Sequence, residues 1–157
     1  MKKIFLLSVL TIVAEITFSQ TRLKQLKVFC TNGFDPNVTV TVPHIRRDRC
    51  QAVYLLKNAL AENGFKVIDE NVADAEIQQP GAPRIYSLRF TYNYKSDAKC
   101  APYALQDMTG QVIDLLNEGT VVATFSFRQG EWSFGSKCTQ EIMKALAAAL
   151  KTKTNNN

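Results

Sequence analysis

Tyr86-Ser87-Leu88-Arg89-Phe90-Thr91-Tyr92-Asn93-Tyr94-Lys95 alternates apolar and polar side chains without interruption. Successive side chains of an extended chain point to opposite faces. The stretch therefore predicts a strand with Tyr86, Leu88, Phe90, Tyr92 and Tyr94 buried and Ser87, Arg89, Thr91, Asn93 and Lys95 in water. A sheet wet on one face must be covered on the other. In a chain that also carries helical patterns, that points to a two-layer α+β architecture.

Downstream, a loop with Ser96, Asp97, Cys100 and Pro102 leads to a strand over residues 104–116, with a bulge expected near Gly110. Asn117-Glu118-Gly119 turns the chain into residues 120–128, where Val121, Ala123, Phe125 and Phe127 alternate with Val122, Thr124, Ser126 and Arg128. These three strands predict an antiparallel meander. A last helix starts near Ser136 or Thr139, with Ile142, Met143, Leu146, Ala147 and Leu150 as its apolar stripe.

Upstream, Leu26, Val28 and Cys30 alternate with Lys27 and Phe29 in a first strand. The turn residues Asn32-Gly33, Asp35-Pro36 and Pro43 then predict a loop. Helical periodicity begins at about Arg46, gathers Ala52, Val53, Leu56, Ala59 and Leu60 on one face, and stops at Asn63-Gly64. Phe65, Val67 and Ile68 form the next strand, and residues 69–83 are a polar connection with at most a short turn of helix. The expected order is β-α-β-β-β-α, a mostly antiparallel sheet with two helices packed on one face.

The amino terminus carries Lys2 and Lys3, then an apolar run from Ile4 to Ala14, then the small residues Thr17 and Ser19. This is the pattern of an export signal, so residues 1–19 are expected to be removed, residues 20–151 to form one domain and residues 152–157 a disordered tail. The apolar run is too short for a transmembrane helix, and no later segment is long enough. The formal net charge of +5 is modest and gives no reason to expect nucleic acid.

Cys30, Cys50, Cys100 and Cys138 form an even set without Cys-x-x-Cys spacing, which in an oxidising compartment predicts two disulfides rather than metal binding. In a meander the loop after its first strand and the start of the last helix share an edge, bringing Cys100 near Cys138. Cys30 ends the first strand beside the helix that carries Cys50. The expected pairs are Cys30 with Cys50 and Cys100 with Cys138.

Val28-Phe29 at the end of a strand, Leu56-Lys57-Asn58-Ala59-Leu60 in a helix, and then Asn63-Gly64-Phe65-Lys66-Val67-Ile68 together resemble the amino-terminal domain of TolB and its envelope relatives. Ile113-Asp114-Leu115 turning through Gly119 into Val121-Val122-Ala123, followed by a carboxy-terminal helix, is similar to the same group. The resemblance implies a non-enzymatic docking module of a bacterial envelope assembly, with an envelope protein as partner and no cofactor.

A search for chemistry finds little to set against that. His44 is the only histidine; Asp48 has helical spacing from it, but Arg46 and Arg47 lie between and oppose a cation. No glycine-framed nucleophile or phosphate loop is present, so no catalytic residue, metal ligand or cofactor-binding residue is assigned. Two features remain as a possible binding surface: Arg46, Arg47 and Arg49 at the start of the first helix, and Trp132 with Phe134 beside the last, which together with the tyrosine-rich strand would form an aromatic surface for a partner or a glycan. The expected function is a non-enzymatic periplasmic or secreted protein-interaction module. A secreted inhibitor or immunity-type protein, a small-molecule carrier and an unrecognised hydrolase are the alternatives. Oligomeric state is left open.

Overall fold

The computed structural model describes residues 25–97, 99–100, 103–129 and 138–153. The leader residues, Trp132, Phe134 and residues 154–157 lie outside them. Six strands and three helices follow in the order β1 (Leu26–Cys30), β2 (Thr39–Thr41), α1 (Ala52–Glu62), β3 (Val67–Ile68), α2 (Glu70–Glu76), β4 (Ile85–Ser96), β5 (Tyr103–Asp114), β6 (Thr120–Arg128) and α3 (Thr139–Lys151). The fold is α+β, and all strands form one sheet in the order β1-β6-β5-β4-β2-β3.

The meander is antiparallel as its alternation predicts: β4 pairs β5 from Tyr86↔Asp114 to Ser96↔Tyr103, and β5 pairs β6 from Asp107↔Arg128 to Asp114↔Thr120. Two irregularities interrupt the register, between Asn93 and Tyr94 and between Val112 and Ile113. The bulge expected at Gly110 is therefore elsewhere. Gly110 instead pairs regularly with Phe90 and Phe125, and a Cβ there would collide with the Phe125 ring and lie 2.6 Å from the Arg89 carbonyl oxygen.

Two elements differ from expectation. Residues 32–43 are not all loop: Thr39–Thr41 forms β2, parallel to both β4 and β3, so the sheet is mixed. Residues 69–83 hold a full short helix, α2. β2 has only three residues, and its hydrogen-bond partners are distant in sequence, so local pattern carries little sign of it.

Val28, Leu56, Leu60, Leu88, Met108, Met143, Leu146 and Leu150 lie in one buried cluster between the sheet and the helical layer. α1 and α3 pack on each other, and α3 also packs on β1. Each fully buried Leu or Met contributes about 1.5–3 kcal/mol by removal from water. The loop after β1 is fastened to the sheet by Tyr86, whose hydroxyl donates to the Gly33 carbonyl (3.2 Å) and accepts from the Asp35 N–H (3.1 Å). Beside it, buried Asp114 accepts from Arg84 Nε at 2.6 Å. At the chain's other end Thr152 and Lys153, assigned to the tail on sequence, donate backbone N–H bonds to Ala148 and Leu150 and so close α3.

Candidate functional site

The segment Arg46-Arg47-Asp48-Arg49-Cys50-Gln51 was expected to open the first helix, but α1 begins only at Ala52. Arg47 (φ 66) and Gln51 (φ 53) are left-handed, a conformation that costs a non-glycine residue about 1 kcal/mol or more. Asp48 compensates for this. Its Oδ1 accepts from the Ala52 N–H at 2.7 Å and its Oδ2 from the Val53 N–H at 2.8 Å, so the carboxylate, not the Gln51 side chain, satisfies the open end of α1. The Tyr92 hydroxyl donates to the same Oδ1 at 2.6 Å, tying the turn to β4. Burial first, and then the bond to Asp48, push the Tyr92 phenol well above its ordinary value.

With its carboxylate held inward by these three bonds, the turn presents Arg46, Arg47 and Arg49 outward, all exposed. Arg49 lies against two rings: its guanidinium carbon is 5.8 Å from the Tyr94 ring centre and 5.6 Å from that of Tyr103, and its Nη1 donates to the Tyr103 hydroxyl at 3.1 Å. The two rings meet edge to face at 5.1 Å. Tyr94 was expected in the core. It is 39% exposed because β4 continues past its last buried residue, Phe90, and the register shifts at Asn93/Tyr94.

Beside this cluster, at the amino end of α3, is an open groove of about 270 Å³ lined by Arg49, Gln51, Lys99, Tyr103, Thr139 and Gln140, with Cys50 and the Cys100–Cys138 disulfide also in its wall. That disulfide forms as expected, with Cα atoms 5.2 Å apart. The expected Cys30–Cys50 bridge does not: neither cysteine is in a disulfide, and both are buried. Cys30 sits in the row Cys30↔Ala123, Val112↔Ala123, Leu88↔Val112, whereas the Cys50 N–H bonds to the hydroxyl of Tyr92. Those rows are four residues, about 13 Å, apart along the strands, beyond the reach of a disulfide. Between the two cysteines the chain crosses from the β1 edge to β2 on the other side of the meander, which their closeness in sequence conceals. Burial pushes both thiols up; at Cys50 a hydrogen bond with Thr139 acts in the opposite direction.

A second groove, of about 490 Å³, holds His44 with Lys57, Asp69, Glu70, Asn71 and Asp74. His44 is exposed and its backbone N–H donates to Glu70 Oε2 at 3.4 Å. Lys57 pairs with Asp69 at 2.8 Å and, by that bond, holds its carboxyl below the ordinary carboxylate range. The acids here are solvated, and Asp48, at helical spacing from His44 in the sequence, is turned toward α1 and Tyr92 instead. Among the described residues no group of three His, Cys, Asp or Glu side chains is placed to hold a metal ion.

The structure thus brings Arg49 together with Tyr94, Tyr103 and Lys99; Tyr94 belongs to the tyrosine-rich strand that the sequence marks as an aromatic surface, whereas Tyr103 and Lys99 carry no such sign. The one legible sign was an arginine-rich turn beside a tyrosine-rich strand. Trp132 and Phe134 lie outside the described residues.

No protein-family profile matches the chain, and no curated protein matches it. Among solved structures, a point variant of the PelC dodecamer from Paraburkholderia phytofirmans aligns with TM-score 0.50 and 17% identity, over 82% of this chain and 96% of that one. A second PelC dodecamer structure from the same organism aligns with TM-score 0.50 and 16% identity, over 84% and 98% of the two chains. At such identity the likeness is one of fold.

Proposed function

We propose that this chain is a non-enzymatic protein-interaction module of the bacterial cell envelope, working in the periplasm or outside the cell, and that it docks its partner through the surface around Arg49. The observation that carries the reading is the Arg49–Tyr94–Tyr103 cluster. It is exposed, is mounted on a turn that Asp48 locks to α1 and β4, and stands beside a disulfide that fixes the neighbouring loop to α3. Arginine and tyrosine concentrate binding energy at interfaces because each offers a large, rigid contact area with a polar end.

The leader-like amino terminus, the disulfide and the resemblance to TolB amino-terminal domains support the location. No described helix is long and apolar enough to cross a membrane. Because the PelC structures that share the fold are dodecamers, a second copy of this chain is among the partners to test. The grooves at Arg49 and at His44 are both open rather than enclosed, which suits a protein surface better than burial of an apolar small molecule.

Affinity capture of the exported chain from crosslinked envelope and culture fluid tests the proposal, with light scattering of the purified chain alongside. The expected result is a stoichiometric partner, or a defined oligomer, that disappears in an Arg49→Ala/Tyr94→Ala variant retaining its folded spectrum. An identical capture by wild type and variant would show that the partner docks elsewhere. A monomer with no partner in either fraction would sink the interaction role itself.

A further inference from the structure

Resting on that reading, we infer that the groove beside Arg49 receives an acidic segment of a partner protein, with Arg49 holding a carboxylate through two parallel hydrogen bonds. Four cations, Arg46, Arg47, Arg49 and Lys99, surround the turn and the groove, and none has a carboxylate within ion-pair distance among the described residues. Nearby acids are engaged elsewhere. Asp48 is bonded to two α1 N–H groups and to Tyr92, Asp97 accepts from the Lys99 backbone N–H at 2.9 Å, and Glu141 accepts from the Cys138 N–H at 3.2 Å as the reciprocal cap of α3. The amino ends of α1 and α3 thus take their carboxylates from within, and among the described residues no carboxylate pairs with the four positive side chains.

The geometry selects a carboxylate over a diffuse negative surface. Tyr103 takes a hydrogen of Arg49 Nη1, and among the described residues no acceptor meets the Nε–Nη2 edge of the guanidinium. That edge carries two parallel donors spaced for the two oxygens of one carboxylate. The rings of Tyr94 and Tyr103 border the guanidinium and hold it in place, so less order has to be imposed when a carboxylate pairs there. Gln51 and Gln140 line the groove and offer both donors and acceptors, which match the peptide groups of an extended segment. A membrane would call for apolar side chains to insert. Of the large hydrophobic residues exposed among the described residues, only Tyr94 belongs to this surface.

Fluorescence polarisation on the full mature chain tests this, using a labelled peptide of alternating Glu and Ser and its Gln–Ser counterpart. Polygalacturonate and phosphatidylglycerol vesicles serve as the competing anions. The acidic peptide is expected to bind, the neutral one not, with affinity falling as salt rises. Arg49→Ala should weaken binding about tenfold or more and Arg49→Lys should restore it only in part, because an ammonium cannot make the paired contact. Lys99→Ala should weaken it less, and Arg89→Ala, on the open face of the sheet, not at all.

Equal binding of both peptides, or an Arg49→Ala variant with undiminished affinity, would overturn the inference. So would preferential binding of the glycan or of the vesicles. If envelope capture depends on Arg49 while the acidic peptide fails, the docking surface stands and its carboxylate chemistry falls. If capture itself fails, the interaction role falls first.

Discussion

At the residue scale, Asp48 is the side chain on which the site's geometry rests. One carboxylate caps α1, offsets the left-handed turn that precedes it and anchors Tyr92. Asp48→Ala is expected to lower unfolding stability by about 2–3 kcal/mol in urea titrations, since it removes a helix cap and leaves partly buried donors unpaired. Tyr92→Phe removes one of these bonds and should cost about 1 kcal/mol at neutral pH. Its effect also has a pH signature. The folded state holds the Tyr92 phenol above its ordinary value of about 10, so the neutral form is the one the fold favours. The linked stability is fully present below that ordinary value and is lost as pH rises from there toward the folded value. Burial raises Tyr86 as well, so the wild type should lose stability above about pH 10, and Tyr92→Phe should lose measurably less over the same interval. Parallel urea midpoints for the two proteins across that alkaline range would contradict the account.

At the scale of elements, the meander shows both what pattern reveals and what it hides. The alternation of residues 86–95 and 120–128 places β4 and β6 and the stripe from Ile142 to Leu150 places α3, because such patterns are local, although Ser87 and Val122 are buried and Val121 exposed where strict alternation predicts the reverse. β2 escapes this reading, since Thr39-Val40-Thr41 is a strand only because β4 and β3 lie on either side. The site was legible in part: Arg49 stands out as one of three arginines beside a single acid, but Tyr94 reads as core until the register shift at Asn93/Tyr94 and the length of β4 are known. Gly110 is a further case of tertiary cause. It reads as a bulge, yet its role is to let the Phe125 ring lie over the sheet between β4 and β6. Gly110→Ala is expected to lower stability by about 1–3 kcal/mol, because the added methyl meets a backbone oxygen as well as the ring and the strand must shift. An unchanged urea midpoint would mean that Phe125 can move aside without loss of packing. The disulfide joins the β4–β5 loop to the start of α3 across a sequence separation of 38 residues. Replacing both Cys100 and Cys138 by Ser should cost about 4 kcal/mol on the chain-entropy view and loosen the groove wall first, visible as faster amide exchange near Thr139.

For the whole molecule, the cysteines connect architecture to compartment. Cys100 and Cys138 are brought together by the meander and α3, whereas Cys30 and Cys50 are kept apart and buried, with thiols that burial pushes up and so keeps protonated. A thiol in that state reacts slowly, because the thiolate is the reactive form. An oxidising compartment is therefore expected to close the one pair and leave the other two thiols untouched while the fold is intact, without the mispairing that four exposed cysteines would invite. The exported chain should begin at Gln20, titrate two thiols after denaturation and none promptly while folded. Material made with the leader deleted and held in a reducing cytosol should titrate four on denaturation. Intact mass and thiol counting on the two preparations check this together. A chain made with its leader that stays in the cytoplasm with Met1 retained, and that yields four thiols, would remove the extracytoplasmic location on which the docking role depends. A chain that begins at Gln20 but yields no thiols would place Cys30 and Cys50 in a second bridge, which their rows in the sheet forbid without unpairing β1 from β6.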